Sequence, residues 1–420
     1  ADTANVCFED PMNNPGICIL SENFFPMIGG TETQTRLLAE DLLANGFPVV
    51  VVTRRCRASL PVDDTMGGAA IHRVGPVGDG PRTRWSMLFR CIPKLISLRG
   101  RYDAIFVTGF RALGISAMVV RMLCGKKCVF RAVSMGEMSG EFFNAGLKSA
   151  GIDRSSVAVR MLMSLRRKII RRADRFVAIS SVIAEELAAN GIGSDAVGTI
   201  PNCVDMGTYR PVNAAEKTEL RSRLGIAAGA RVVVYTGRLV SYKGLPVLLK
   251  AWNEIAPKHR DAMLLLVGGD TNDQSSCGRQ LKDYVEANSL QATVRFTGNV
   301  ANVHEHLQAS DLFVFPTENE AFGISIIEAM ACGLPVVSTA VGGLRDIVAD
   351  LVNCLVLNAV YQHGLAAALD TLLSDGALAS SLGSAGLRTV RENYSRQAVA
   401  EAYMRLFREL TERPRDGLRP

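Results

Sequence analysis

Two glutamates, Glu320 and Glu328, stand eight positions apart around Ala321-Phe322-Gly323-Ile324-Ser325-Ile326-Ile327. Residues 325–332 contain neither Gly nor Pro and are expected to be helical. Gly333 is placed to cap that helix, and Pro335 blocks its continuation. Residues 334–338 then read as a strand. A helix N-terminus offers unpaired backbone N–H groups and a partial positive charge. Here those donors come from around Gly323, Ile324 and Ser325, with Phe322 in the same turn. Gly323 has no side chain to hold an anion off, so the turn reads as a phosphate seat. Glu328, one turn in, can accept hydrogen bonds from a diol such as a ribose. Glu320, ahead of the helix, can reach what lies beyond the phosphates. The plain alternative is a loop–helix junction with one capping acid and one surface acid. Two glutamates alone do not decide between these.

Other residue groups point the same way. Arg238 and Lys243 follow an apolar run in a loop containing Gly237 and Gly244. Arg offers a fork of donors and Lys a point charge, a pair able to hold a diphosphate. Solvated surface cations are the alternative. Gly29 and Gly30, with Thr31 and Glu32 after them, close a first strand and open a first helix. There the backbone can approach an anion, although a Gly-Gly pair is more often a simple turn. Gly268-Gly269-Asp270 and Gly298-Asn299-Val300 each end a further strand, where a plain βα turn is the default reading.

Positioning these groups takes alternating strands and helices, which implies parallel sheets. Strands are expected at residues 16–20, 49–53, 103–108, 127–132, 175–180, 231–236, 263–267 and 293–297. Helices are expected at residues 31–45 and 181–190, the latter with Ser as cap. Residues 311–317 read as a buried strand feeding the Glu320 loop. The pattern breaks at Pro201-Asn202-Cys203-Val204-Asp205, followed by Tyr209-Arg210-Pro211. Residues 396–412 form an amphipathic helix pattern with Ala398, Val399, Tyr403, Leu406, Phe407 and Leu410 at spaced positions. The tail after Arg413 is expected to be unstructured.

The run from Ser310 to Asp346, including Gly342-Gly343-Leu344-Arg345-Asp346, resembles the E-x7-E region of family 4 retaining glycosyltransferases of the GT-B fold. The resemblance implies an α/β fold of two Rossmann-like domains facing across a cleft, with a C-terminal helix crossing back to the first domain. The domains implied are residues 1–205 on the acceptor side, 206–395 for the nucleotide sugar, and 396–420 for the returning helix and tail. Residues 201–205 are similar to the family's P-N-G-V-D crossing, with Cys203 in place of Gly.

By the same resemblance, Glu328 meets the ribose and Glu320 the sugar. Arg238 and Lys243 hold the diphosphate with the Gly29–Gly30 loop, and Val300 lies by the base. Neutralising the leaving diphosphate is the main catalytic task, and electrostatic stabilisation of this kind usually contributes most to the rate. Many relatives carry a sugar-contacting His after the strand at residues 127–131. This chain has Arg131-Ala132-Val133-Ser134-Met135-Gly136-Glu137 there, without His. Glu137 or Ser134 could face the sugar in its place, with a solvated loop acid as the alternative.

The implied function is retaining transfer of a sugar from a nucleotide-diphosphate sugar to a hydroxyl acceptor on a lipid-linked or growing polysaccharide. A same-fold epimerase or phosphorylase is the enzymatic alternative, and an inactive membrane-docked binding protein the non-enzymatic one. No D-x-D, Walker loop or G-x-S-x-G is present, so neither a catalytic metal nor a resident cofactor is expected. His304-Glu305-His306 lacks the spacing of a zinc helix and is expected on a helix surface.

The composition supports a globular chain of at least two domains: 420 residues, 48% hydrophobic and 21% charged. No apolar run reaches the ~20 residues of a membrane helix, and the first residues lack signal-peptide patterning. The ten cysteines form no C-x2-C pair and are expected to be reduced, mostly buried thiols of a cytoplasmic protein. The net charge of +6 is carried by the first half: residues 1–205 hold 25 basic and 19 acidic side chains, against 22 and 22 in the remainder. Between residues 80 and 175 the ratio is 20 to 5. Residues 82–101 and 160–175 interleave cations with apolar side chains, a pattern suited to an anionic membrane face. Pro93 argues against one straight helix in the first of them. Core-packing helices with solvated Arg faces are the alternative. No nucleic-acid recognition motif accompanies the charge, so the expected location is cytoplasmic and peripheral on the inner membrane face.

Overall fold

The computed structural model describes residues 14–27, 29–78, 80–141, 156–271 and 275–412. The tail after Arg413 lies outside them. The chain divides into two units, Ala1–Pro201 with Val399–Pro420, and Asn202–Ala398.

The first unit carries an eight-stranded sheet in the order β3-β4-β2-β1-β5-β6-β7-β8. Its strands are β1 Ile17–Ser21, β2 Val49–Arg54, β3 Asp63–Met66, β4 Ala69–Val74, β5 Ala104–Thr108, β6 Lys127–Ala132, β7 Arg175–Ala178 and β8 Val197–Thr199. All pairings are parallel except β3 with β4. Val49–Arg54 is buried along its whole length, as a strand covered on both faces must be. The helices are α1 Gly30–Ala44, α2 Pro81–Ser97, α3 Leu113–Cys124, α4 Val157–Ile170 and α5 Ser181–Ala189.

Two local features of this unit bear on the expectations above. Helix α2 runs unbroken through Pro93. Proline removes the amide that would bond the Phe89 carbonyl; Phe89 is 75% exposed, so water can reach that carbonyl. Helix α5 starts after an extended Ser180 whose side chain makes no capping bond.

The second unit has a six-stranded parallel sheet in the order β11-β10-β9-β12-β13-β14. These are β9 Arg231–Thr236, β10 Ala262–Val267, β11 Val294–Gly298, β12 Leu312–Phe315, β13 Val336–Thr339 and β14 Leu355–Leu357. Its helices are α6 Ala214–Arg223, α7 Leu245–Ile255, α8 Gly278–Ala287, α9 Val303–Gln308, α10 Ile324–Ala331, α11 Gln362–Ser374 and α12 Gly376–Asn393. Helix α6 opens on a capping box between Asn213 and Glu216.

The last helix, α13 Arg396–Thr411, returns to the first unit. The Tyr403 and Phe407 rings meet Phe106 of β5 edge-on, with centroids 5.4 and 5.6 Å away. Arg408 lies over the Phe47 ring, and its Nε donates to Asn14 at 3.1 Å. The amphipathic pattern of residues 396–412 is therefore the seam of a helix that completes the first sheet's core.

Candidate functional site

The second unit's candidate residues lie in loops leaving the C-terminal ends of parallel strands, or in the first turns of α10 that follows one such loop, where open α/β sheets bind ligands. After β12, Pro316 leads into the Glu320 loop. After β9, the chain passes Gly237 and Arg238 to a short helical turn, Ser241–Lys243, and then Gly244. Gly244 has φ +72°, and a Cβ there would lie 1.9 Å from the Pro316 carbonyl oxygen. Only glycine permits this approach. It seats Lys243 against the Glu320 loop, and Glu318 N–H donates to the Tyr242 carbonyl at 2.8 Å.

Lys243 Nζ then meets Glu320 Oε2 at 2.5 Å. Lys243 is buried, with its ammonium 5.0 Å from the centre of the Phe315 ring. The other Glu320 oxygen accepts from the Ala321 amide at 3.0 Å, and the Glu320 carbonyl accepts from Gly343 N–H at 3.0 Å. This loop is held at three points. Arg238 is exposed, with its guanidinium on the Tyr242 hydroxyl at 2.7 Å. Its carbonyl accepts from the buried Tyr235 hydroxyl at 2.9 Å.

Gly323 is the N-cap residue before helix α10, and its φ of +108° falls in the left-handed region. The first amides of this helix belong to Ile324 and Ser325, both partly exposed. By position they lack partners within the helix. Phe322 is 3% exposed, its ring edge-on to Tyr394 at 5.9 Å. Phe322 can therefore serve a ligand only through its backbone, whose N–H donates to Glu320 Oε1 at 3.5 Å. Along the same rim, Gly237 N–H donates to Val267 at 2.9 Å, Leu239 N–H to Gly269 at 3.0 Å, and Gly268 N–H to Gly298 at 3.0 Å. This stitching places Val300, partly exposed, one strand beyond the β10 loop.

Glu328 projects from the second turn of α10. Part of the residue stays accessible, yet burial pushes its carboxyl up to about 7, against a hydrogen bond from the Tyr209 hydroxyl that favours the ionised form. Burial, with the Glu328 charge beside it, raises the Tyr209 hydroxyl as well. From sequence, Tyr209 stands out only as part of the crossing segment. The available signal was an aromatic residue with a polar end, four positions after Asp205.

In the first unit, Gly29 is the extended N-cap residue of α1, and Gly30 begins that helix. Glu32 folds back over this end: a Cβ on Gly29 would lie 2.3 Å from its Oε2. Glu137 is 1% exposed. Its Oε1 accepts from the amides of Val133 and Ser134 and from the Ser134 hydroxyl, each at 3.1 Å. Burial pushes it up to about 7, opposed by the Arg111 charge and these hydrogen bonds. Its Oε1 thus serves its own loop while Oε2 is buried with no hydrogen-bond partner among the described residues, and the alternative of a solvated loop acid is corrected. Arg166 of α4 secures that loop by donating to the carbonyls of Arg111, Glu137 and Met138.

The two histidines of α9 are a further correction. His306 is buried, with Nδ1 3.1 Å from the Asn302 carbonyl, and His304 lies edge-on to Tyr209 at 6.0 Å. Residues two apart on a helix point to nearly opposite sides, so one of the pair must turn inward. Among the described residues, no group of His, Cys, Asp and Glu is arranged to hold a metal, and eight of nine cysteines are buried free thiols.

Two family models tile the chain: "Glycosyl transferase 4-like domain" over residues 29–203 and "Glycosyl transferases group 1" over residues 216–389. A D-inositol 3-phosphate glycosyltransferase of Kineococcus radiotolerans is 32% identical over 58% of each chain. An uncharacterized glycosyltransferase of Methanocaldococcus jannaschii is 24% identical over 91% of this chain and 95% of its own. Among solved structures, the sucrose-phosphate synthase of Thermosynechococcus elongatus superposes with a TM-score of 0.77 at 24% identity, covering 94% of this chain and 99% of that one. Anabaena HepE, in complex with UDP and glucose, gives 0.74 at 19% identity, covering 93% and 99%. The chain spans under three fifths of the length of the first two curated relatives it matches, at 58% and 59%.

Proposed function

We propose, for a chain that belongs to the GT-B glycosyltransferases of the 4-like and group 1 kind, that it transfers a sugar from a nucleotide-diphosphate sugar to a hydroxyl acceptor with retention of anomeric configuration. The observation that carries this reading is the Lys243–Glu320 pair beside the α10 N-terminus. In the proposal, the α10 amides, Lys243 and Arg238 take the diphosphate, whose negative charge grows as the sugar–oxygen bond breaks. Glu320, held by its own loop amide, orients the sugar, and Glu328 accepts from the ribose diol. The acceptor attacks on the face the diphosphate leaves, and a leaving phosphate oxygen takes the acceptor proton. This route needs neither a protein nucleophile nor a metal. Glu137 contributes by holding the 133–137 loop.

The test is donor hydrolysis and transfer with UDP-, GDP- and ADP-sugars. Lys243→Ala and Glu320→Ala each lower kcat/KM by about 100-fold or more, in line with loss of one charge-stabilising group. Near-normal turnover in both would sink the assignment.

The acceptor proposed is membrane-borne, a lipid-linked or growing polysaccharide. Support comes from α4, where Met161 (68% exposed), Val157, Leu162 and Leu165 lie open among Arg160, Arg167 and Lys168. On α2, Trp85 and Phe89 are exposed near Arg84 and Arg90. No helix among the described residues is long and apolar enough to cross a membrane, so contact would be peripheral. Cosedimentation with phosphatidylserine vesicles at low salt is expected, and Arg160→Glu with Lys168→Glu abolishes it. Failure of the unaltered chain to sediment, with equal turnover on a soluble inositol phosphate, removes the membrane acceptor.

A further inference from the structure

One aromatic side chain touches both cations of the β9 loop. The Tyr242 hydroxyl accepts from the Arg238 guanidinium at 2.7 Å, and the Lys243 ammonium lies 5.6 Å from the centre of the Tyr242 ring. A phenol suits both contacts, since its oxygen offers lone pairs to a donor and its ring face attracts a cation. The Tyr242 backbone is fixed. It lies in the helical turn Ser241–Lys243, and its carbonyl accepts from Glu318 N–H at 2.8 Å and from the Thr317 hydroxyl at 3.3 Å. On either side, Ser241 N–H donates to the Ser275 carbonyl at 2.8 Å and Lys243 N–H to the Val240 carbonyl at 3.1 Å. The Arg238 backbone is held as well, because its carbonyl accepts from the Tyr235 hydroxyl at 2.9 Å and from Val240 N–H at 3.0 Å. The Arg238 side chain is exposed. A long cation of this kind gives up rotamer freedom when it closes on a phosphate, and a contact that orders it beforehand lowers that cost.

We propose that Tyr242 is a positioning residue for the diphosphate: its hydroxyl holds the Arg238 guanidinium while its ring lies against Lys243, so that the two cations are spaced before the nucleotide arrives. The proposal rests on the reading of Arg238 and Lys243 as diphosphate ligands. The two contacts are separable. Replacing the phenol by a phenyl ring removes the bond to Arg238 and keeps the ring beside Lys243.

The test is calorimetric binding of UDP, GDP and ADP to the full chain, to Tyr242→Phe, to Arg238→Ala and to the double variant. Tyr242→Phe is expected to weaken the tightest of the three about fivefold, the scale of ordering one long side chain on binding. Arg238→Ala is expected to weaken it about tenfold or more, as loss of a charged hydrogen-bond donor. In the Arg238→Ala background, Tyr242→Phe should cost nothing further, because the hydroxyl acts through that guanidinium. A packing role for Tyr242 would add its loss to that of Arg238→Ala, so additive losses overturn the proposal. If Arg238→Ala weakens binding while Tyr242→Phe alone leaves Kd unchanged, only the role of Tyr242 falls. If Arg238→Ala has no effect, or none of the three nucleotides binds, the reading of Arg238 falls and takes the Tyr242 role with it.

Discussion

Glu328 and Glu137 are both pushed up to about 7 by burial, from an ordinary carboxyl value of 4.5. Between those values the folded chain holds protons that the unfolded chain has released. Stability from these two groups is therefore full below 4.5 and is lost as pH rises through 7. Glu137→Gln removes one of the two titrating groups, so Tm of the variant is expected to fall less steeply than that of the unaltered chain between pH 5 and 7.5. A parallel pair of Tm curves would refute the assignment. Nucleotide affinity should run the other way. An ionised Glu328 is the better acceptor for a diol, so Kd rises as pH drops below 7, and Glu328→Gln flattens that limb. At this scale the sequence was partly legible. The spacing of Glu320 and Glu328 and the Gly-flanked Arg238 and Lys243 are visible as residue types. The Tyr209–Glu328 contact is not, because its members are far apart in the chain and only the folded sheet joins them. The inward turn of Glu137 was hidden as well, since its partners are backbone amides, which look alike in every sequence.

Elements place these residues through close backbone approaches. Gly323→Ala would put a Cβ 2.3 Å from Leu344 Cδ2 while keeping φ at +108°. A loss of about 1–3 kcal/mol is expected, read as a lower urea midpoint at unchanged slope. Gly244→Ala meets the rigid Pro316 carbonyl and should separate Lys243 from Glu320, lowering turnover along with stability. An unchanged kcat in a folded Gly244→Ala protein would show that the pairing is not needed. Strands buried on both faces, such as Val49–Arg54, were legible as continuous apolar runs. Asp63–Met66 was not, because its residues alternate between exposed and half-buried and its hydrogen bonds go to β4 alone. The passage of α2 through Pro93 could not be read from the sequence because it depends on how exposed Phe89 is, a property of the fold.

On the scale of the molecule, the two-unit organisation follows from the alternating pattern and the break near Pro201. The return of α13 to the first unit was legible only as an amphipathic stripe, together with a resemblance. Phe407 is fully buried against Phe106. Phe407→Ala is expected to cost about 3–5 kcal/mol, measured by chemical denaturation, with the transition of the first unit shifted and that of the second retained. A shift confined to the second unit's transition would contradict the packing of α13 on β5.

That helix also sets an order of events during synthesis. The first sheet is complete early, but the side chains that seal β5 are made only after the whole second unit. At roughly 5–20 residues per second, the residues between β8 and α13 occupy the ribosome for about 10–40 s. Throughout that interval the nascent first unit lacks its seal over Phe106, and the second unit can fold before the first is finished. Chaperone engagement in pulse-labelled cells should therefore persist until α13 emerges, and a stop codon placed after residue 398 should prolong it.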